Sequence, residues 1–506
     1  LTAETAELLE LAPDAAPLRA ALVEILANEE LVADGELGGE VEAKPSDEPS
    51  DEPRTELGGE LVRGERALYL PHLAASERGL AANVARLLER RDVRALAGER
   101  ELAAFERSSG FELDADQRSA VLGLLAAPLG LLTGGPGVGK TTIVRCVVAL
   151  AEAAGARVLL ASPTGRAAKR LAEATGREAS TIHRMLGYDP ERGAFAHDQR
   201  KPLEADFVVV DEISMLDVVL AHHLFKAIDP NARVVLVGDP DQLPSVAPGN
   251  VLGDLIRCGA IATFRLTHIH RQGPGSRIVA NAHRILHGEQ PVLPSRGDTS
   301  GDFYFFPVED ARASAERVVE VVTERIPRSF GFDWVESVQV LAPMYRGECG
   351  VDELNERLRA ALGAPGELFK LGTRSWRVGD RVIHTRNDYD KEVFNGDMGR
   401  ITALDENGVH VRFPEKSVAY APDELGDLQP AFAITVHRSQ GSEYDVVVIP
   451  LVTQHFLMLQ RNLLYTAVTR AKKLCVLVGS PRALQMALDN AEQGQRLSGL
   501  ARRLAP

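Results

Sequence analysis

From Leu129 onward, short continuous apolar runs alternate with segments of helix length. Gly130–Thr133, Arg157–Ala161, Phe207–Val210 and Arg233–Val237 have the length and character of strands buried on both faces, and Phe303–Phe306, Val338–Ala342, Asp445–Leu451 and Leu474–Val478 form a second such set. Repeated strand–helix alternation predicts two parallel-sheet α/β domains, over 108–265 and 266–506. Between Thr373 and Pro430 the pattern changes: Arg381–Thr385, Gly399–Ala403 and Val409–Phe413 are short strands parted by turn residues such as Asn395-Gly396-Asp397 and Asn407-Gly408. That pattern predicts a small β-barrel inserted into the second domain. Upstream, helical patterns at Leu8–Ala27 and Ser76–Glu89 and an apolar strand at Ala67–Leu70 predict a helical or winged-helix domain over 1–107. Within it, residues 36–60 form an acidic Pro/Ser tract with the pentad ELGGE at each end; it cannot bury a core and is expected to be a flexible loop or wing tip.

Composition narrows the class. The chain has 506 residues, 45% apolar and 25% charged, as expected of a soluble globular protein with more than one core. It lacks a run of about 18 apolar residues, so no membrane span is expected, and the expected location, given the cysteine usage below, is cytoplasmic. The chain begins at Leu1 rather than Met, and a lost N-terminal segment is expected. Cys146, Cys258, Cys349 and Cys475 are far apart with no C-x-x-C pair, which favours buried reduced thiols over a metal or disulfide site. The net charge of −15 looks wrong for a nucleic-acid partner until it is located. Residues 1–60 hold 17 of the 72 acidic and 3 of the 57 basic side chains, hence −14 of the total. The rest is near neutral and can carry a basic groove.

The chemistry starts at Gly134–Thr141, G-G-P-G-V-G-K-T, which follows an apolar strand and opens a helix near Gly139. In that context the G-x-x-x-x-G-K-[ST] pattern is a phosphate cradle. Gly135, Pro136, Gly137, Val138 and Gly139 turn backbone N–H groups inward, Lys140 meets the β- and γ-phosphates, Thr141 holds Mg²⁺, and Thr142 completes the site. The strand Phe207–Val210 ends in Asp211-Glu212, two carboxylates placed beside the cradle at the carboxyl edge of a parallel sheet. Asp211 is suited to hold Mg²⁺ and Glu212 to take a proton from attacking water. Gln242, after the next strand, could sense the γ-phosphate or orient water; alone it would more often be a turn residue.

In order along the chain, these motifs resemble those of superfamily 1 helicases, over about Phe111–Ser480. The resemblance implies two RecA-like domains that bind ATP and Mg²⁺ between them and single-stranded DNA across their tops. Gln117 resembles the glutamine that reads adenine. Ala161–Ala168, with Pro163, Thr164 and Arg166, and Thr181–Arg184, with His183 and Arg184, resemble strand-contacting motifs. Arg271 in Ile269–Gln272 and Arg470 in Tyr465–Ala471 resemble arginines supplied to the γ-phosphate. Thr435, His437 and Arg438 resemble DNA contacts of the motif Ala433–Glu443, whose Gly441 and Glu443 couple it to nucleotide.

Within the superfamily the RecD-like branch, superfamily 1B, is the nearest match. It rests on Asp241-Gln242-Leu243-Pro244, on Pro343–Asn355 with Met344, Arg346 and Asn355 as DNA contacts, and on Phe394–Asp397. The branch implies 5′ to 3′ travel, an SH3-like barrel and a strand-splitting β-hairpin, here within 187–203. The absence of aromatics over Leu243–Asn250 accords with a grip on the phosphate backbone rather than on stacked bases. The expected protein is therefore a monomeric ATP-dependent DNA helicase acting at single-strand/duplex junctions. Its rivals are a P-loop remodelling ATPase, a nucleic-acid-binding subunit with an idle motor, and an RNA helicase of the same superfamily.

Overall fold

The computed structural model describes residues 32–36, 66–90, 94–268, 276–295, 298, 300–363, 368–371, 374–388, 390–406, 408–491, 496 and 498–505. The helical pattern Leu8–Ala27, nearly all of the acidic tract, and Arg271 lie outside these residues.

An antiparallel pair, β1 (Val32–Glu36) and β2 (Arg66–Tyr69), precedes an 18-residue helix, Pro71–Leu88, that Pro71 opens. The first α/β unit contains β3 (Leu129–Gly134), β4 (Val158–Ser162), β5 (Ser180–Thr181), a hairpin of β6 (Tyr188–Asp189) and β7 (Ala194–Phe195), then β8 (Phe207–Val210), β9 (Arg233–Gly238) and β10 (Ala262–Leu266). All but the hairpin form one parallel sheet in the order β10-β3-β9-β8-β4-β5. Strands β3, β8 and β9 are buried along their whole length, as the unbroken apolar runs predict.

The second unit has β11 (Phe303–Pro307) and β12 (Val338–Ala342), then seven strands of a small β module, then β20 (Ala433–Thr435), β21 (Tyr444–Leu451) and β22 (Ala471–Gly479). Its parallel sheet runs β11-β22-β21-β12-β20. In the module, β13 (Leu368–Leu371) and β14 (Arg374–Arg377) form a hairpin. Beside it β15 (Arg381–His384), β16 (Met398–Asp405), β17 (Gly408–Arg412), β18 (Ser417–Tyr420) and β19 (Leu428–Pro430) form an antiparallel sheet in the order β18-β17-β16-β15-β19. It closes on its own core around Trp376, Ile401, Val411 and Tyr420.

The packing crosses two of the expected divisions of the chain. Residues 71–107 do not form a core separate from the first unit. Leu80, Val84 and Leu87 share a core with β8, β9 and the helix Val218–Ala227, and Leu102 shares one with the P-loop helix. Near the other end, Leu500 and Leu504 are buried in the first unit's core. In both cases an isolated amphipathic helix has one apolar stripe, and only the first unit offers a face to cover it. All four cysteines are free and buried.

Candidate nucleotide cleft and nucleic-acid face

The turn after β3 is built on glycines in backbone conformations that other residues rarely adopt, Gly134 at φ 153°, Gly137 at 76° and Gly139 at 92°. A side chain on Gly134 would also meet the Leu266 carbonyl at 2.7 Å. The helix Lys140–Ala153 starts directly behind the turn, with Thr141 exposed at its first turn. The Lys140 ammonium donates to the carbonyls of Gly134 (2.5 Å) and Gly135 (2.8 Å), so it caps the cradle it would share with phosphates. Gln117 caps its own helix and donates from Nε2 to the Val138 carbonyl at 3.4 Å, which puts its amide against the cradle.

Asp211 and Glu212 end β8 beside this turn. Glu212 is one of two non-glycine residues with positive φ among those described, at 56°, a conformation disfavoured for any residue that carries a Cβ. Its N–H donates to Asp211 Oδ1 at 2.8 Å. Loss of solvation and the neighbouring Glu212 charge push Asp211 up to about 6, against the pull of Lys140 and Arg170. A carboxylate raised in this way has an unmet demand for positive charge, which suits a divalent ion held with Thr141.

The second unit closes on this site through a set of buried polar contacts. Arg470 donates from Nη2 to Gln242 Oε1 (2.7 Å), from Nε to the Thr466 carbonyl (3.2 Å) and from Nη1 to the Ser442 carbonyl (3.2 Å). Gln242 donates to Asp239 Oδ2 at 3.1 Å, and Tyr465 donates its hydroxyl to the same oxygen at 2.8 Å. Burial and the Asp239 carboxylate hold the Tyr465 phenol well above its ordinary range, so it stays a donor. Leu243 N donates to Thr466 Oγ1 (2.9 Å), and Gln440 donates to the Leu243 carbonyl (2.8 Å). The Tyr465 hydroxyl and the His283 ring also lie 2.9 and 3.8 Å from where a Gly135 side chain would begin.

Sequence reasoning assigned no role to Tyr465, Thr466 or Gln440, although all three stand inside the motifs that carried Arg470 and Glu443. Their only signal was that position. His283 and Arg170 had none.

Gly441 and Glu443 stand one step away from the phosphate cradle. Gly441, at φ 68°, approaches so closely that a side chain would meet Thr164 Oγ1 at 3.0 Å. Arg170 donates to the Gly441 carbonyl (3.2 Å) and pairs with Glu443 (2.7 Å). Since Arg170 also pulls on Asp211, it links the coupling motif to the candidate metal site.

The expected DNA contacts divide. Pro163 and Thr164 start the helix Gly165–Thr175, where Thr164 Oγ1 accepts from Ala167 N at 3.3 Å. Arg184 and Arg346 are exposed, and Met344 is half-buried. His183 is half-buried with its ring 5.5 Å from Tyr188 and 5.8 Å from Phe195, and burial lowers its proton affinity. His437 is half-buried beside Arg496, and Arg438 lies over the Tyr345 ring at 5.7 Å while donating to Gln429 (2.6 Å). Thr435 is buried, and its hydroxyl accepts from Arg438 N at 3.2 Å, so it shapes the turn.

Two of the expected contacts are engaged within the protein itself. Asn355 is buried and binds backbone: it accepts from Ala433 N (2.9 Å) and donates to the carbonyls of Ala433 (2.9 Å) and Pro430 (3.4 Å), pinning the start of β20. Arg166 donates to Ser442 Oγ (2.7 Å) and the Tyr444 hydroxyl (3.1 Å), joining the two units instead of standing free for phosphate. Between the helix Gly165–Thr175 and the β module lies a cleft of about 1380 Å³, whose walls include Lys169, Arg184, Arg400, Arg412 and Lys416.

A glycine-rich turn ahead of a helix, a carboxylate pair at the sheet edge and a buried arginine contributed by a second parallel-sheet unit of the same chain define a two-domain P-loop protein. Comparison with known sequences specifies which one. The AAA domain profile matches residues 117–248, the ATP-dependent RecD-like DNA helicase SH3 domain profile 354–413, and the UvrD-like helicase C-terminal domain profile 430–478. The chain is 38% identical over 441 residues to the ATP-dependent RecD2 DNA helicase of Deinococcus radiodurans, covering 87% of this chain and 59% of that protein. It is 36% identical to the RecBCD enzyme subunit RecD of Mycolicibacterium smegmatis, covering 79% and 76%, and 35% identical to that of Mycobacterium tuberculosis, covering 87% and 80%. The chain belongs to the RecD family.

Proposed function

We propose that this chain is an ATP-dependent DNA helicase that travels 5′ to 3′ on single-stranded DNA and opens duplex ahead of it. The observation that carries the reading is the buried chain Tyr465–Asp239–Gln242–Arg470, which joins the P-loop unit to the second unit across the cleft. In this reading ATP enters with Mg²⁺ held by Thr141 and Asp211. Its γ-phosphate draws Lys140 off the Gly134 and Gly135 carbonyls and competes with Gln242 for Arg470. Glu212, held in its left-handed conformation, takes the proton of the attacking water. Hydrolysis followed by release of inorganic phosphate removes the charge that holds the arginine, the cleft relaxes, and the spacing of the units changes with each turnover.

DNA runs over the face that presents His183, Arg184, Arg346, His437 and Arg438. The hairpin β6–β7 stands beside His183, where it can part the strands. The motor works as a monomer in the cytoplasm. The relatives named as RecBCD subunits are the reason to expect protein partners as well. The deciding measurement is unwinding of duplexes carrying only a 5′ or only a 3′ single-stranded tail. Preference for the 5′ tail is expected, and equal or better activity on the 3′ tail would overturn the direction while leaving the ATPase reading standing.

A further inference from the structure

The loop 244–250 joins Gln242 to the helix Val251–Arg257, and its backbone is poorly equipped to hold itself. Pro244 and Pro248 have no N–H to offer a partner strand, so the loop cannot build its own ladder and its carbonyls need outside donors. Val218 N serves the Pro248 carbonyl (3.0 Å) and Ser245 Oγ the Ala247 carbonyl (2.8 Å), and one guanidinium reaches three carbonyls of the loop. Arg496 donates to the carbonyls of Ser245 (2.5 Å), Ala247 (2.7 Å) and Gly249 (2.8 Å), and to Ser245 Oγ (3.1 Å). Three alternate carbonyls on one guanidinium match the geometry of a planar fork; an ammonium could not span them in the same way.

Arg496 is held from the first unit. The segment after it is pinned by the buried Glu77 carboxylate, which accepts from Ser498 Oγ (3.0 Å), Gly499 N (3.1 Å) and Arg503 Nε (3.1 Å). Leu500 and Leu504 bury themselves in the same core as Val251 and Leu255. The loop thus has two masters. The residue just before it, Leu243, is gripped by Thr466 and Gln440 of the second unit, and the loop's body is gripped by a C-terminal strap fixed to the first. Its tip, Val246, is 82% exposed, and the proton affinity of His437 is lowered first by burial and then by the Arg496 charge.

We propose that Arg496 is a positioning residue: it holds the loop 244–250 so that a change at Gln242 is transmitted to the DNA face near His437 instead of being absorbed by a slack loop. This rests on the DNA-motor reading above. The test compares the parent chain with Arg496→Ala and Arg496→Lys. Amide hydrogen exchange at Val218, whose N–H holds the loop's Pro248 carbonyl (3.0 Å), should speed up at least tenfold in the alanine variant and less in the lysine variant. The concentration of oligothymidylate that half-stimulates ATP hydrolysis should rise about tenfold in the alanine variant, while the KM for ATP and the DNA-free rate stay within about twofold.

Unchanged exchange at Val218 overturns the proposal, as does a loosened loop with unaltered DNA stimulation or a parallel fall in the DNA-free rate. If the alanine variant does not fold, the lysine variant decides by the same readouts, with intermediate shifts expected and none overturning. A parent chain without DNA stimulation would defeat the motor reading instead, and the exchange measurement would still decide whether Arg496 holds the loop.

Discussion

Lys140 answers two carbonyls of its own turn in the structure, and a phosphate must take it from them. Lys140→Ala is expected to abolish ATP hydrolysis, because the backbone amides of the cradle cannot neutralise the γ-phosphate alone. Glu212→Gln is expected to bind ATP and DNA yet turn over very slowly, since an amide cannot accept the proton. Steady-state hydrolysis and nucleotide binding check both, and a glutamine variant that binds no ATP would remove the assigned role. Asn355 calls for the opposite outcome. Asn355→Leu leaves the N–H and carbonyl of Ala433 buried without their partner, a loss of about 2–4 kcal/mol. A lowered denaturant midpoint with unchanged DNA affinity is expected; weaker DNA binding at full stability would return the residue to the DNA face.

Among the elements, the hairpin β6–β7 is short, two residues paired on each side, and it stands on aromatic packing. Phe195 meets His223 at 4.6 Å and Tyr188 at 5.1 Å, and the His183 ring completes the base. Hairpin and strand-contacting motif are therefore one packed piece, and a wedge here would feel the position of the strand. Replacing the tip Pro190–Gly193 by Gly/Ser, with Phe195 kept, should preserve DNA-stimulated hydrolysis and single-strand affinity. Duplex unwinding should fall sharply, because each base-pair step costs about 1.4 kcal/mol to open and a motor without a wedge waits for fraying. Unwinding at the parental rate would reduce the hairpin to a connecting loop.

For the whole molecule, Arg470 is the contact on which, in the proposed function, cleft closure and chemistry meet. It is buried, shared between Gln242, Thr466 and Ser442, and supplied from the unit that does not carry the cradle. Arg470→Ala should still bind ATP while hydrolysing it roughly 10³-fold more slowly, the scale of an arginine acting on transition-state charge. Single-turnover hydrolysis with saturating ATP measures this, and a rate near that of the parent would leave the arginine with a structural role only.

The apolar runs of the two sheets, the antiparallel module between them and the phosphate turn were legible from the chain because each depends on local facts. A strand buried on both faces must be apolar throughout, a phosphate turn must use glycine where φ is positive, and a carboxylate pair after a buried strand has one edge to occupy. The fates of Asn355, Arg166 and residues 496–505 were not legible. A polar side chain in a motif reads the same whether it faces DNA, a backbone carbonyl or the other domain, and only packing selects among them. Asn355 met the ends of β19 and β20, Arg166 met Ser442 and Tyr444, and the C-terminal helix found its apolar partner on the first unit. These contacts join residues tens to hundreds of positions apart, and their energies exist only once the chain has closed.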